Sequence, residues 1–245
     1  LILGGGTYQI GLIRFLKQKE FRTICVTNRP NELSAKNCDQ VYDISYTNTS
    51  DVLEIYNKEE AVQIFSVGSE AALLTQSKIQ ELAKLQGNSV EWISFFLNKW
   101  NYKQRLNTTG LSPKTRLVEC LDDVKKLVKE TNIEYILKPL AGSGSAKIKK
   151  ILGNSDFESF HSITAEQPWL LEEFHKGTEL GCDLFIYNNE IYYFGITHKS
   201  FNRYFVPTSH LLLSDTKKEV ISFYQKYCLT PRKARHRYLL HPLYW

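Results

Sequence analysis

The stretch that decides the reading runs from Glu134 to Asp183: EYILKPLAGSGSAKIKKI at 134–151, a polar segment, then WLLEEFHKGTELGCD at 169–183. Lys138 ends an apolar run, Tyr135, Ile136 and Leu137, and Pro139 follows at once. A loop of small residues comes next, from Ala141 through Gly142, Ser143, Gly144 and Ser145. Small residues let backbone N–H groups approach a polyphosphate closely, and a lysine at a strand end places a point charge beside it. A second apolar run, Trp169 to Leu171, ends in Glu172-Glu173-Phe174, with Gly177-Thr178-Glu179 beyond it. Ionised carboxylates only accept hydrogen bonds, so acids at that strand end suit an adenine amino group and ribose hydroxyls.

In these residues the chain resembles the ATP-grasp superfamily, most closely its carboxylate–amine ligases of the carbamoyl-phosphate-synthase and purine-biosynthesis type. The shared features are Lys-Pro, a Gly/Ser loop, a strand ending in acid, and a Gly-x-Glu whose Glu179 lies seven residues after Glu172. The resemblance extends upstream to Asn98-Lys99, where the family has Asp-Lys opening a helix, and to Gly110-Leu111-Ser112-Pro113 where its lid begins. It implies an α/β fold: a Rossmann-like pre-ATP-grasp domain, then an ATP-grasp fold with an α+β lid and a C-terminal antiparallel sheet that is incomplete here. The implied divisions are 1–88 for the first domain, 89–112 for a connecting helical segment, 113–170 for the lid and 171–245 for the C-terminal part.

The resemblance also implies roles. Lys99 and Lys138 would contact phosphates, and Ser143, Gly144 and Ser145 would close over them. Glu172 would accept from the adenine amino group with Glu173 beside it, the Phe174 backbone would meet the adenine edge, and Glu179 would hold the ribose. Lys199, at a later strand end, is a candidate contact for substrate or phosphate. ATP and Mg2+ are the implied cofactors, and small-molecule carboxylates and amines the implied substrates. Phosphoryl transfer of this kind needs positioning and charge neutralisation rather than a covalent nucleophile. The implied activity is an ATP-dependent carboxylate–amine or carboxylate–thiol ligase working through an acyl phosphate. A nucleotide-binding protein without ligase activity is the alternative, because the family's late metal motif, a Glu and then Glu-x-Asn with an Arg nearby, is not found. The late Pro231-Arg232 follows Leu229-Thr230, without carboxylate or amide. No metal ligand or catalytic side chain is assigned, and the resemblance covers about residues 1–212.

The chain opens with an apolar run, Leu1-Ile2-Leu3, followed by Gly4-Gly5-Gly6 and, five residues on, Gly11. Ile10, Ile13 and Leu16 then recur at helical spacing, and Phe21 to Thr27 reads as a second strand. This glycine spacing is not G-x-G-x-x-G, and Asn28 stands where a ribose-binding acid belongs. An NAD(P)-dependent oxidoreductase is therefore disfavoured, and Gly5 and Gly6 are placed by the resemblance near the non-nucleotide substrate. Ala61 to Val67 reads as a further strand, with Ser69 as the N-cap of the next helix. Glu70 follows that strand end, where function gathers in open α/β sheets. It is a substrate candidate, though first-turn acids are also common.

Composition bounds the rest. At 245 residues and a net charge of +5, the chain suits one large or two small domains. No run approaches the ~20 apolar residues that span a bilayer, and no signal-peptide pattern is present. No nucleic-acid or membrane partner is expected, and a homo-oligomer is left open. The basic cluster Arg232 to Arg237 suits a solvated tail or an anion contact equally. The five cysteines are widely spaced, without C-x-x-C, and are expected to be buried thiols in a reducing cytoplasm. The chain lacks methionine altogether, as a fragment or a sequence with omitted residues would.

Overall fold

The computed structural model describes residues 1–108, 110, 112–131, 133–140, 148–151, 168–187, 190–202 and 207–213. The chain divides into two compact units, Leu1–Asn98 and Lys99–Trp245.

In the first unit four strands form a parallel sheet: β1 (Ile2–Leu3), β2 (Ile24–Thr27), β3 (Gln40–Asp43) and β4 (Phe65–Ser66), in the order β3-β2-β1-β4. Every residue of β2 is buried, as in a parallel strand covered on both faces. The helices are α1 (Ile10–Gln18), α2 (Leu33–Lys36), α3 (Thr49–Lys58), α4 (Glu70–Leu82) and α5 (Val90–Leu97). Leu3, Ile24, Val26, Val52, Ile55, Ile64 and Ile79 are among the residues of one apolar core. This is the expected Rossmann-like start.

Two strands are shorter than the sequence suggests. The run 61–67 pairs only at Phe65–Ser66, and the run 21–27 only from Ile24. β4 has one partner, β1, and β1 ends after Leu3 because Gly4 turns the chain at φ 97°. Ser69 occupies the N-cap of α4, but its side chain makes no capping bond; its carbonyl accepts from Ser66 Oγ instead.

The second unit opens with α6 (Lys99–Asn107). An antiparallel sheet follows, built from β5 (Thr115–Val118), β6 (Tyr135–Pro139), β7 (Lys149–Ile151) and β8 (Trp169–Glu173), in the order β5-β8-β6-β7. Helix α7 (Leu121–Glu130) lies between β5 and β6 in the chain, with Asp122 and Asp123 in its first turn and Lys129 in its last, matching the helix dipole. Its Val124, Leu127 and Val128 recur at helical spacing and pack on Val118, Tyr135, Leu137, Ile151, Trp169 and Leu171. β8 runs through Glu173, past the boundary at residue 170 that the resemblance implied for the lid.

The last sheet is a meander of β9 (Leu180–Tyr187), β10 (Glu190–Phe201) and β11 (Pro207–Leu212), antiparallel, in the order β11-β10-β9. Asn188-Asn189, the stretches 156–163 and 215–227, the basic cluster 232–237 and Cys228 lie outside the described residues.

No disulfide joins Cys25, Cys38, Cys120 or Cys182. Cys25 is buried, but Cys120 is exposed, against expectation, because it is the extended N-cap residue of α7 at the surface turn from β5. Among the described residues no helix is long and apolar enough to cross a membrane.

Candidate functional site

Residues paired across antiparallel strands share a face, and the face alternates along each strand. The register of the first antiparallel sheet therefore sorts its side chains. Val118, Arg116, Trp169, Leu171, Glu173, Tyr135 and Leu137 lie on the face toward α7. Thr115, Leu117, Leu170, Glu172, Ile136 and Lys138 lie on the other face. That second face holds a buried cluster of charged side chains.

Glu172 is its centre. Its Oε2 lies 2.7 Å from Lys138 Nζ on the neighbouring strand β6, and its Oε1 lies 3.2 Å from Lys103 Nζ on α6. The three side chains are only 6%, 10% and 5% exposed, so this is a dry cluster of two cations and one anion. The Thr115 hydroxyl sits 3.4 Å from Glu172 Oε1 and 2.9 Å from the Pro113 carbonyl, which takes the better bond. Burial pushes the Lys103 ammonium down to about 8, against the pull of Glu172 and with the repulsion of Lys138.

Lys103 was not singled out in the sequence. The signal was there: it stands four residues after Lys99, one turn further along the same helix face. Lys99 itself is half-buried at the start of α6.

Glu173 does not share the face of Glu172. It is one residue on, so it points to the α7 side, 3.8 Å from Lys114 Nζ, and its N–H donates to the Lys114 carbonyl. The Phe174 N–H is engaged with the Glu134 carbonyl at 2.8 Å, which extends the ladder with β6. An adenine edge meeting that N–H has to displace this bond. Above the Phe174 ring, 3.9 Å from its centroid, stands Lys150 Nζ. The same ammonium is 3.0 Å from Glu134 Oε2, and it holds the Glu134 carboxyl below the usual carboxylate range.

Glu179 and Lys199 come together where β9 meets β10. The Lys199 N–H donates to the Glu179 carbonyl at 3.2 Å. Burial pushes the Glu179 carboxyl upward, with Lys199 opposing. The Lys199 side chain is buried and its stem crosses Gly181; a Cβ there would stand 2.7 Å from Lys199 Cε. Glycine at 181 is what makes room for this lysine. Ser143, Gly144 and Ser145 lie outside the described residues.

In the first unit, Gly5 and Gly6 follow β1 and Glu70 follows β4. The sheet order reverses between these two strands, which is where open α/β sheets bind ligands. The Gly5 carbonyl accepts from the Ser34 N–H, and that of Gly6 from Ser34 Oγ. A Cβ on Gly5 would meet Ala35 Cβ at 3.0 Å, so the loop packs directly on α2. Gln9 Nε2 donates to the Val67 carbonyl at 2.7 Å and ties the two loops together. Glu70 is half-buried in the first turn of α4.

Among the described residues no group of three or more His, Cys, Asp or Glu side chains could hold a metal ion. The buried Glu172 does not fit one, since two ammonium groups face it.

No protein-family model matches the chain, and no curated protein sequence does either. Solved structures match it well. N5-carboxyaminoimidazole synthetase from Staphylococcus aureus, complexed with ADP, is 14% identical with a TM-score of 0.77, over 92% of this chain and 60% of that one. An L-amino acid ligase from Bacillus licheniformis is 15% identical with a TM-score of 0.76, over 93% and 57%. Phosphoribosylglycinamide synthetase from Anaerococcus prevotii is 19% identical with a TM-score of 0.67, over 90% and 57%. The chain thus has the fold expected, a Rossmann-like domain followed by an ATP-grasp fold, and spans about three-fifths of the length of these structures.

Proposed function

We propose that the chain is part of an ATP-dependent ligase that joins a carboxylate to an amine or other nucleophile through an acyl phosphate. The observation that carries this reading is the dry cluster of Lys103, Glu172 and Lys138 on an ATP-grasp fold. Among the described residues, two buried ammonium groups face one carboxylate and leave a positive excess, which favours a polyphosphate. Leu117 and Ile136, both half-buried, share the face and would offer apolar surface to a base.

In this reading Lys99 and Lys138 contact phosphates, Glu172 and the Phe174 backbone meet the adenine, and Glu179 accepts from ribose hydroxyls. Ser143, Gly144 and Ser145 cover the phosphates, and Lys199 meets substrate or phosphate. Gly5, Gly6 and Glu70 belong to the non-nucleotide substrate. Glu173, on the opposite face of its strand, contributes through its backbone. The substrate carboxylate attacks the γ-phosphorus, the bond from that phosphorus to the bridging oxygen breaks, and ADP leaves. The amine then attacks the acyl carbon and expels phosphate. The lysines hold charge in place as it shifts toward the ADP oxygens, which is the contribution preorganised cations make. Magnesium accompanies ATP in such chemistry and neutralises phosphate charge. Among the described residues no carboxylate set for it is present.

The experiment is ADP formation by the chain with ATP, magnesium and panels of amino acids and other carboxylates, with and without amines. ADP release that requires a carboxylate supports the reading. Tight ATP binding with no turnover across the panels favours the second reading, a nucleotide-binding protein without ligase activity.

A further inference from the structure

Consider the buried cluster without Lys103. Lys138 and Glu172, 2.7 Å apart, would neutralise one another, and the end of β6 would present little net charge to an incoming anion. Lys103 changes that sum by engaging the other oxygen of the same carboxylate. We propose that Lys103 is a positioning residue of the polyphosphate subsite: held at Glu172 Oε1, it offsets that carboxylate, fixes it through one oxygen, and leaves the charge of Lys138 uncompensated until a phosphate arrives. This rests on the nucleotide reading above and adds to it a residue that need not touch the nucleotide.

The energetics point the same way. A third charge in a site this dry is not there for stability. Burying an ammonium costs several kcal/mol, and apolar replacements of buried charges are often neutral or stabilising. The depressed proton affinity of Lys103, about 8, reports that the folded protein disfavours its charged form. Among the described residues, the charged groups that face it are Glu172 on β8 and Lys138 on β6, and β5 presents the uncharged Thr115. Removing Lys103 leaves Glu172 and Lys138 as a balanced pair, so the loss should fall on anion binding and not on folding.

The test compares Lys103→Met and Lys103→Arg with wild type. Thermal unfolding is followed alongside calorimetric titration of ADP, of inorganic tripolyphosphate and of adenosine. Lys103→Met should melt no lower than wild type. It should bind ADP and tripolyphosphate between about tenfold and a hundredfold more weakly, the Coulomb effect of one nearby unit charge at an effective dielectric of about 20. Adenosine affinity should be nearly unchanged. Wild-type ADP affinity should fall as pH rises through about 8, where Lys103 loses its proton. That fall should be absent in Lys103→Met, and Lys103→Arg should stay charged and hold its affinity. The effects of Lys103→Met and Glu172→Gln on tripolyphosphate affinity should also be non-additive if one residue acts through the other.

Unchanged ADP and tripolyphosphate affinity in Lys103→Met, or an unchanged pH profile, overturns the proposal. So does a variant that loses stability and affinity together. Wild-type protein that binds neither ADP nor tripolyphosphate overturns the nucleotide reading, and this proposal with it.

Discussion

Replacing Glu172 by Gln removes the carboxylate that the two buried lysines share. At an effective dielectric of about 20, the attraction of Glu172 for Lys138 at 2.7 Å is about 6 kcal/mol, and for Lys103 at 3.2 Å about 5 kcal/mol. Most of that offsets the desolvation of the three groups. What remains visible on removing one partner of a buried pair is typically 3–5 kcal/mol, about 3 here because Gln keeps the shape and an acceptor. For a chain of this size about 3 kcal/mol lowers the melting temperature by roughly 10 °C. The assay is thermal unfolding followed by tryptophan fluorescence, with Trp169 buried three residues before Glu172 on the same strand. A second limb adds tripolyphosphate. Two uncompensated ammonium groups should make the variant gain more stability from the anion than wild type gains, by the mass-action linkage of a ligand to the native state. A variant that melts like wild type, or gains no more than wild type from the anion, would refute the charge account of this site.

Gly181→Val should push the Lys199 stem out of its place, since a Cβ would stand 2.7 Å from Lys199 Cε. A cost of about 1–3 kcal/mol in urea denaturation is expected, as for overpacking, together with weaker ATP binding; unchanged affinity would remove Lys199 from the nucleotide site. Lys103 also predicts a pH effect on stability. Its folded value of about 8 lies below the ordinary 10.5, so between these values the unfolded chain binds more protons and stability rises with pH. The rise, at most about 3 kcal/mol, should be seen in urea titrations across that window and be missing in Lys103→Met. Glu179→Gln should reduce the preference for ATP over a ribose-modified analogue, read by competition, and an unchanged preference would end the ribose assignment. Lys138→Ala should weaken ATP binding; equal affinity in the variant would take Lys138 out of the site.

The order of motifs from Lys138 to Glu179 was enough to read the fold, because each motif sits at a strand end or turn that local chemistry defines. The sheet register and the pairing of Lys103 and Lys138 with Glu172 are not legible in the same way. Glu172 reads from the sequence as an adenine acceptor, yet it is held by Lys103 and Lys138, which reach it from α6 and β6. The pairing of β6 with β8 reveals the contact of Lys138, and the packing of α6 that of Lys103. Glu173 looks equivalent to Glu172 in the sequence, and one residue of strand alternation sends it to the opposite face. The short β1 and β4 show the same limit: apolar runs mark burial, while Gly4 decides where the ladder stops. Cysteine is usually buried, but the place of Cys120 at the α7 N-cap exposes it.

The most direct measurement of the central claim is calorimetric titration of the wild-type chain with ATP and magnesium, beside an identical titration with NADH. Micromolar ATP binding with no NADH signal is the predicted result. NADH binding without ATP binding would contradict it, and would move the cofactor site from the Lys103–Glu172–Lys138 cluster to the glycine loop after β1.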